Sequence, residues 1–192
     1  MQRSIFEPVQ RTVLQLAGEQ VTQPAAILDV GCGTGRLLRS AEARFPGARL
    51  VGVDAATDMV KQAVASSPVE SAIRFEQATA EELPFPNGDF NLVFSTMTFH
   101  HWRDQGQGIA EVARVLAPGG RWLLADFMPA GAMRYVRRLF RLNQFPDHAT
   151  LDSLLAKAGL EVVAARKVPG LGGQVTVAAI AAQGERPVAK LS

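Results

Sequence analysis

Apolar positions along the chain fall into two alternating patterns. Short, nearly continuous apolar runs occur at AAILDV (25–30), ARLVGVD (48–54), AIRFEQA (72–78), DFNLVFS (89–95) and RWLLADF (121–127). Runs of this length bounded by glycine, proline or asparagine predict strands buried on both faces, as in a parallel sheet. Between them lie stretches with helical spacing. These predict helices over about 35–45, over 57–65 with Val60 and Val64 on one face, over about 103–116 with Pro118, Gly119 and Gly120 as the stop, and over 149–158 ending at Gly159. Ahead of the first strand, residues 4–17 place Ile5, Val9, Val13 and Leu16 on one helical face, with Pro8 restricting the first turn. At the other end, LEVVAARKV and GQVTVAAIA read as two strands joined by a turn at 169–173.

Strands alternating with helices imply an α/β fold: a doubly wound, mostly parallel seven-stranded sheet with helices on both faces and a C-terminal antiparallel hairpin. The 192 residues suit one domain. We expect it to span 1–183, with 1–24 as a flanking N-terminal helix, 128–148 as a lid insertion and 184–192 as a loose tail. No internal repeat is present.

Composition narrows the classes. With 47% hydrophobic and 20% charged residues the chain is neither disordered nor collagenous. Its formal charge of +2 is too small to predict a nucleic-acid partner. The longest apolar runs fall well short of the roughly 20 residues that span a bilayer. Glu7 and Glu19 interrupt the opening segment, which therefore lacks the form of a secretory signal, and a cytoplasmic location is expected. The single cysteine, Cys32, forms no internal disulfide and no thiolate cluster, and no metal site is expected.

In a doubly wound sheet, ligands bind beyond the carboxyl ends of the strands. After the first strand comes DVGCGTG, with Gly31, Gly33 and Gly35 at alternate positions before a helix. Such glycines allow a sharp turn and close backbone approach, and the helix start offers N–H groups to an anion. The dinucleotide fingerprint needs a third glycine where Leu38 or Arg36 stands, which disfavours a nicotinamide cofactor; the phosphate loop of nucleoside triphosphatases is absent. Asp54 ends the second strand, 19 residues after Gly35, where a carboxylate accepts from both hydroxyls of a ribose. Asp29, inside an apolar strand, needs partners: either loop N–H groups or the ligand. Cys32 between the glycines has no histidine near it in sequence, so packing explains it better than nucleophilic chemistry.

These segments, taken in order, resemble the class I S-adenosylmethionine-dependent methyltransferases, in particular the small-molecule branch that includes ubiquinone and menaquinone biosynthesis methyltransferases. The resemblance runs through ILDVGCGTG (27–35), LVGVDAATDM (50–59), ATAEELPFPNGDFNLVFS (78–95) and VARVLAPGGRWLLAD (112–126), and so covers about 25–127. It implies S-adenosylmethionine as cofactor and S-adenosylhomocysteine as product. It also implies that Gly31, Gly33 and Gly35 pass near the methionine part and Asp54 holds the ribose. Ala55 and Met59 would border the adenine, with Thr79, the backbone of Ala80, Ser95 and Asp29 completing the set. Where family members often carry Asp to accept from the adenine amino group, this chain has Thr79, a weaker acceptor.

The implied activity is methyl transfer to an oxygen or carbon of a small, apolar or aromatic metabolite. A general base helps when the nucleophile is a phenol, an enol or an acidic carbon, and the candidates are His100 and His101 in STMTFHHW. One of the two is expected to face the site, with His100 favoured; the alternative is a structural pair packed beside Trp102. That stretch lacks the Asn/Asp-Pro-Pro-aromatic tetrapeptide of nucleobase-amine methylation. Acceptor specificity is assigned to the flanking helix and to the lid. In the lid, Met133, Val136 and Phe140 form one face and Arg134, Arg137 or Arg138, and Arg141 another, with Tyr135 and His148 as weaker candidates. Such a basic amphipathic helix suits an acidic acceptor, peripheral contact with an anionic membrane, or plain solvation. Two rival functions remain: a non-catalytic binding or activating subunit of the same fold, and a nicotinamide-dependent oxidoreductase.

Overall fold

The computed structural model describes residues 6–127, 148–168 and 175–185. Its elements, in chain order, are α1 (Glu7–Gln20), β1 (Ala26–Val30), α2 (Arg36–Arg44), β2 (Arg49–Asp54), α3 (Thr57–Ala65), β3 (Arg74–Gln77), β4 (Phe90–Thr96), α4 (Gln105–Val115), β5 (Leu116–Phe127), α5 (His148–Lys157), β6 (Leu160–Lys167) and β7 (Val175–Ala182). A short 3-10 turn, Phe99–His101, follows β4. The strands form one sheet in the order β3-β2-β1-β4-β5-β7-β6.

Alternation along each strand divides the core into two layers, because successive side chains of a strand point to opposite faces. Leu28, Val30, Val51, Val53, Val93, Trp122 and Leu124 pack under Ile109, Val112 and Val115 of α4 and Leu151 and Leu155 of α5. Ile27, Leu50, Leu92, Phe94, Leu123 and Ala125 pack against Val9, Val13 and Leu16 of α1 and Leu37, Leu38 and Ala41 of α2. This is why the strands read as unbroken apolar runs.

Three features refine or extend the sequence reading. First, β5 starts at Leu116, directly after α4, because Pro118-Gly119-Gly120 does not separate helix from strand. Instead Leu116 pairs with Phe90 and Arg121 with Leu92, so residues 117–120 form a bulge inside the strand. Second, the closing pair is a hairpin, but β7 inserts between β5 and β6 and runs antiparallel to both. Third, the tail beginning at 184 is anchored at its start. Glu185 accepts from the Gly119 N–H at 2.9 Å and pairs with the buried Arg121 guanidinium at 2.6 Å. The expected turn at 169–173, Ile5, and the lid residues 128–147, including Met133, Tyr135, Val136, Phe140 and the arginines, lie outside the described residues. His148 opens α5. Among the described residues no helix is long and apolar enough to cross a membrane.

One polar cluster ties α4 to the loop before β4. The Arg114 guanidinium donates to both oxygens of Glu111 at 2.7 Å and to the carbonyls of Leu83 and Phe85 at 2.9 and 2.6 Å. Glu111 in turn accepts from the Leu83 N–H at 2.9 Å. The guanidinium hydrogen-bonded to it, ahead of the opposing cost of burial, lowers the Glu111 pKa, and the same pairing raises that of Arg114. Replacing Arg114 with methionine strands two carbonyls and a carboxylate, and is expected to cost about 2 kcal/mol. In a chain of this size that is a fall of roughly 4–8 °C in the thermal unfolding midpoint. A midpoint equal to the parent's would remove this cluster from the account.

Candidate active site

The strand order places a switch point between β1 and β4: the chain leaves β1 toward β2 on one side and returns to β4 on the other. A cleft of about 1060 Å³ opens above the carboxyl ends of these strands. That is at the top of the size range of single-ligand pockets, roughly 300–1,000 Å³, so it has space for a nucleoside ligand and part of a second molecule.

The glycine loop forms its floor. Gly31 and Cys32 both donate their N–H to the Val53 carbonyl, at 2.8 and 2.9 Å, which holds the loop across the top of β2. Gly31 has φ +76°, and a Cβ there would meet the Thr98 hydroxyl at 2.0 Å, so the loop and the segment after β4 touch with no side chain between them. Gly33 has φ +53° and would have open space around its Cβ. Gly35 differs from the expectation that it borders the ligand: it is buried, a Cβ on it would strike the Phe75 ring at 2.6 Å, and it does not line the cleft. Its positive φ turns the chain into α2.

Two carboxylates flank this loop. Asp54 lines the cleft, and its two oxygens accept from the N–H groups of Gly33 and Ala56, each at 2.9 Å. Each oxygen keeps a second lone pair for a further donor. Asp29 also lines the cleft but is only 2% exposed, and its Oδ1 has no hydrogen-bond partner among the described residues. No loop N–H group reaches that oxygen among the described residues. Burial first, then the charge of Asp54, pushes the Asp29 pKa up to about 8. Burial, with the charges of Asp29 and Asp54 behind it, also raises the Cys32 thiol far above its usual range, so Cys32 is no nucleophile at neutral pH.

Ala55, Met59, Thr79 and Ala80 all line the cleft, as does Glu81, which accepts from the Asp104 N–H at 3.0 Å. Burial opposes ionisation of Glu81, and hydrogen bonds to its carboxylate outweigh it, so its pKa is lowered. Ser95 does not reach the cleft: it is fully buried, and its hydroxyl accepts from the Trp122 indole at 3.1 Å. The next three residues do reach it. Thr96, Met97 and Thr98 were missed because nothing in their spacing marks the strand end, although Met97 carries φ 56°, a conformation L side chains adopt at a cost.

The two histidines separate. His101 is exposed and lines the cleft, and His100 does not line it. Instead the His100 ring packs on that of His101, centroids 3.9 Å apart, and its Nδ1 lies 2.8 and 3.0 Å from the two carboxylate oxygens of Asp126. Trp102 lines the cleft and stacks on Trp122 at 6.0 Å. Gln10 of α1 and Phe6, just ahead of that helix, also line the cleft. Among the described residues no cluster of His, Cys, Asp and Glu is set up to hold a metal ion.

Comparison with known proteins follows the same region. The family described as methyltransferase domain matches residues 28–124, about half of the chain. A demethylmenaquinone methyltransferase of Thermus thermophilus is 38% identical over 141 residues, covering 71% of this chain and 62% of that protein. A 27-O-demethylrifamycin SV methyltransferase of Amycolatopsis mediterranei is 33% identical over 154 residues, covering 74% and 56%. The chain thus spans a little over half the length of these curated relatives. Among solved structures, an S-adenosylmethionine-dependent methyltransferase from Mesorhizobium loti superposes with a TM-score of 0.69 at 19% identity, covering 91% of this chain and 96% of that one. At that identity the match speaks for the fold alone.

Proposed function

Because this chain belongs to the methyltransferase domain family, we propose that it transfers a methyl group from S-adenosylmethionine to an oxygen or carbon of a small metabolite. Its relatives are named for methyl transfer to a quinone precursor and to a rifamycin, which suits an acceptor with an aromatic or enolic ring.

One observation carries the reading: a buried carboxylate oxygen, on Asp29, has no hydrogen-bond partner among the described residues and stands in the wall of the cleft. An isolated buried carboxylate is costly, and an ammonium group is the partner that removes the cost. S-adenosylmethionine has that ammonium at its methionine end and a ribose between the sulfur and the adenine. Asp29 suits the first and Asp54, one strand over, the second. Gly33 leaves the room between them, while Ala55, Met59, Thr79 and the Ala80 N–H suit the adenine. The bound sulfonium supplies an activated methyl group with its leaving group already in place. The residues of the chain bind, orient and exclude water, which can supply most of the rate enhancement of such a displacement.

Fluorescence tests the cofactor class directly, since the chain has two tryptophans and one of them, Trp102, borders the cleft. Titration with S-adenosylhomocysteine is expected to change the emission and saturate, and titration with NAD to leave it unchanged. In Asp54→Ala the half-saturating concentration is expected to rise by roughly 30-fold or more, the equivalent of about 2 kcal/mol for charge-assisted hydrogen bonds. Saturation by NAD alone would favour the oxidoreductase reading, and saturation by neither would overturn the cofactor assignment.

A further inference from the structure

The order of strands sets the order of groups along the carboxyl edge of the sheet. Across β3-β2-β1-β4, Thr79 and Ala80 follow β3, Asp54 ends β2, and the glycine loop follows β1. A nucleoside amino acid laid along this edge, with its adenine at Thr79 and its ribose at Asp54, has its sulfur-bearing half toward β1. Next along the edge is the segment after β4. It presses on the glycine loop, since a Cβ added at Gly31 would meet the Thr98 hydroxyl at 2.0 Å. The Thr98 carbonyl in turn accepts from the His101 N–H at 2.8 Å, which closes a turn and sets His101 close to the loop. His101 is exposed and lines the cleft. Its ring packs on that of His100, centroids 3.9 Å apart, and Asp126 holds the His100 ring through Nδ1 at 2.8 Å. The imidazole in the cleft therefore has a fixed backing.

The other groups of the cleft that could take a proton are occupied or unsuited. Asp29 already holds its proton at neutral pH, and the Cys32 thiol is raised far out of that range, each chiefly by burial. Both oxygens of Asp54 accept from backbone N–H groups, and Glu81 accepts from that of Asp104. Glu82 lines the cleft too, but a carboxylate is a far weaker base than an imidazole. That leaves His101, and imidazole is the side chain suited to taking up and releasing a proton near neutral pH. We propose that His101 is the catalytic base of this cleft and takes the proton of an acidic hydroxyl or enolisable carbon on the acceptor. The proposal rests on the methyl-transfer reading. In the step it serves, the acceptor's O–H or C–H proton goes to an imidazole nitrogen, and the electron pair left behind forms the bond to the methyl carbon. The methyl–sulfur bond breaks with its pair going to sulfur, so the sulfonium becomes a thioether, and the exposed imidazolium then passes its proton to solvent. Atoms and charge balance with no further reactant. The titratable and charged groups around His101 are His100 on its own turn, with Asp126 of β5 behind that ring, and Asp54, Glu81, Glu82 and Arg103 in the walls of the cleft it shares.

Methyl transfer from S-adenosylmethionine to naphthoquinol, a soluble acceptor with acidic hydroxyls, tests the role. In His101→Ala, kcat at neutral pH is expected to fall by on the order of 10²–10⁴-fold, with affinity for S-adenosylhomocysteine unchanged. Two readouts separate a base from a structural side chain. Added imidazole is expected to restore rate to His101→Ala saturably, because the truncation opens a place on an exposed wall, and more basic methylimidazoles are expected to restore more. As pH rises through the ionisation of the acceptor's own hydroxyl, the variant's rate is expected to approach the parent's, since an acceptor already deprotonated needs no base. His101→Gln, which fills the same place without taking up a proton, is expected to lose rate as the alanine variant does and to gain nothing from imidazole. A His101→Ala rate within about threefold of the parent's, a loss that neither imidazole nor alkaline pH restores, or no turnover of naphthoquinol by a parent that binds S-adenosylhomocysteine overturns the role of His101 and leaves the cofactor assignment in place. Failure of the parent to bind S-adenosylhomocysteine overturns the methyl-transfer reading, and the role of His101 with it.

Discussion

Asp29→Asn is expected to weaken S-adenosylmethionine binding by roughly 30-fold or more and, in the ligand-free protein, to raise stability at alkaline pH. Both effects come from one cost. The folded state holds the Asp29 proton up to about pH 8, whereas an exposed aspartate gives its proton up near 3.8. Between these values the folded chain keeps a proton that the unfolded chain has lost, so the contribution of Asp29 to stability falls as pH rises from about 4 to 8 and is constant beyond. The full loss is on the order of several kcal/mol, because a tenfold change in proton affinity is worth about 1.4 kcal/mol. Asparagine has the same shape and does not ionise. Thermal midpoints of parent and Asp29→Asn are therefore expected to converge near pH 4 and diverge steadily toward pH 8, with the variant higher. Parallel midpoints across that range would mean that Asp29 has a partner in the ligand-free protein. Loss of affinity is the other side of the account: the amide cannot answer an ammonium with a charge.

The glycine loop offers a contrast between two neighbouring positions with the same backbone hand. At Gly31 an added Cβ meets the Thr98 hydroxyl at 2.0 Å, so Gly31→Ala must push the segment after β4 and the loop apart, and is expected to cost on the order of 3 kcal/mol of stability. At Gly33 the space is open, and Gly33→Ala bears only the left-handed backbone cost of roughly 1–2 kcal/mol. The methyl group then stands in the open space of the cleft that Gly33 lines. It is expected to lower affinity for S-adenosylhomocysteine about tenfold or more, in the range of overpacking a fitted site. Thermal unfolding and binding measured on both variants separate the roles: Gly31→Ala is the less stable and Gly33→Ala the folded, poorly binding protein. The reverse order would show that Gly31, and not Gly33, borders the ligand.

How much of this was legible in the sequence follows from which signals are local. Strand runs such as ILDV and LVGVD, and glycines next to a strand end, are local, so the seven strand positions, the helices and the floor of the cleft could be read directly. Asp54 was legible because it ends a strand at the right distance from the glycines. Non-local facts were not. The bulge in β5 depends on Leu116 reaching Phe90 across the sheet, and the insertion of β7 beside β5 depends on pairing that no periodicity encodes. Gly35 and Ser95 show the same limit at the site. Each sits in the expected segment, but Phe75 claims the space beside one and the Trp122 indole the hydroxyl of the other. Asp126 escaped notice because its run, RWLLADF, reads simply as a buried strand. Its partner His100 lies 26 residues earlier, and only the parallel pairing of β4 with β5 brings them together.

Calorimetric titration of S-adenosylhomocysteine in buffers of different ionisation enthalpy measures the protons exchanged on binding, and so tests whether Asp29 receives the ammonium. With Asp29 protonated in the free protein at pH 7 and ionised against the ammonium when bound, close to one proton is released per ligand. The affinity accordingly rises by up to about tenfold per pH unit between pH 6 and 7. Methylthioadenosine, which keeps the nucleoside and lacks the amino acid, is expected to bind with no such release, as is S-adenosylhomocysteine with Asp29→Asn. Release of no proton by the parent, or equal release with both ligands, would contradict the assignment of the cleft.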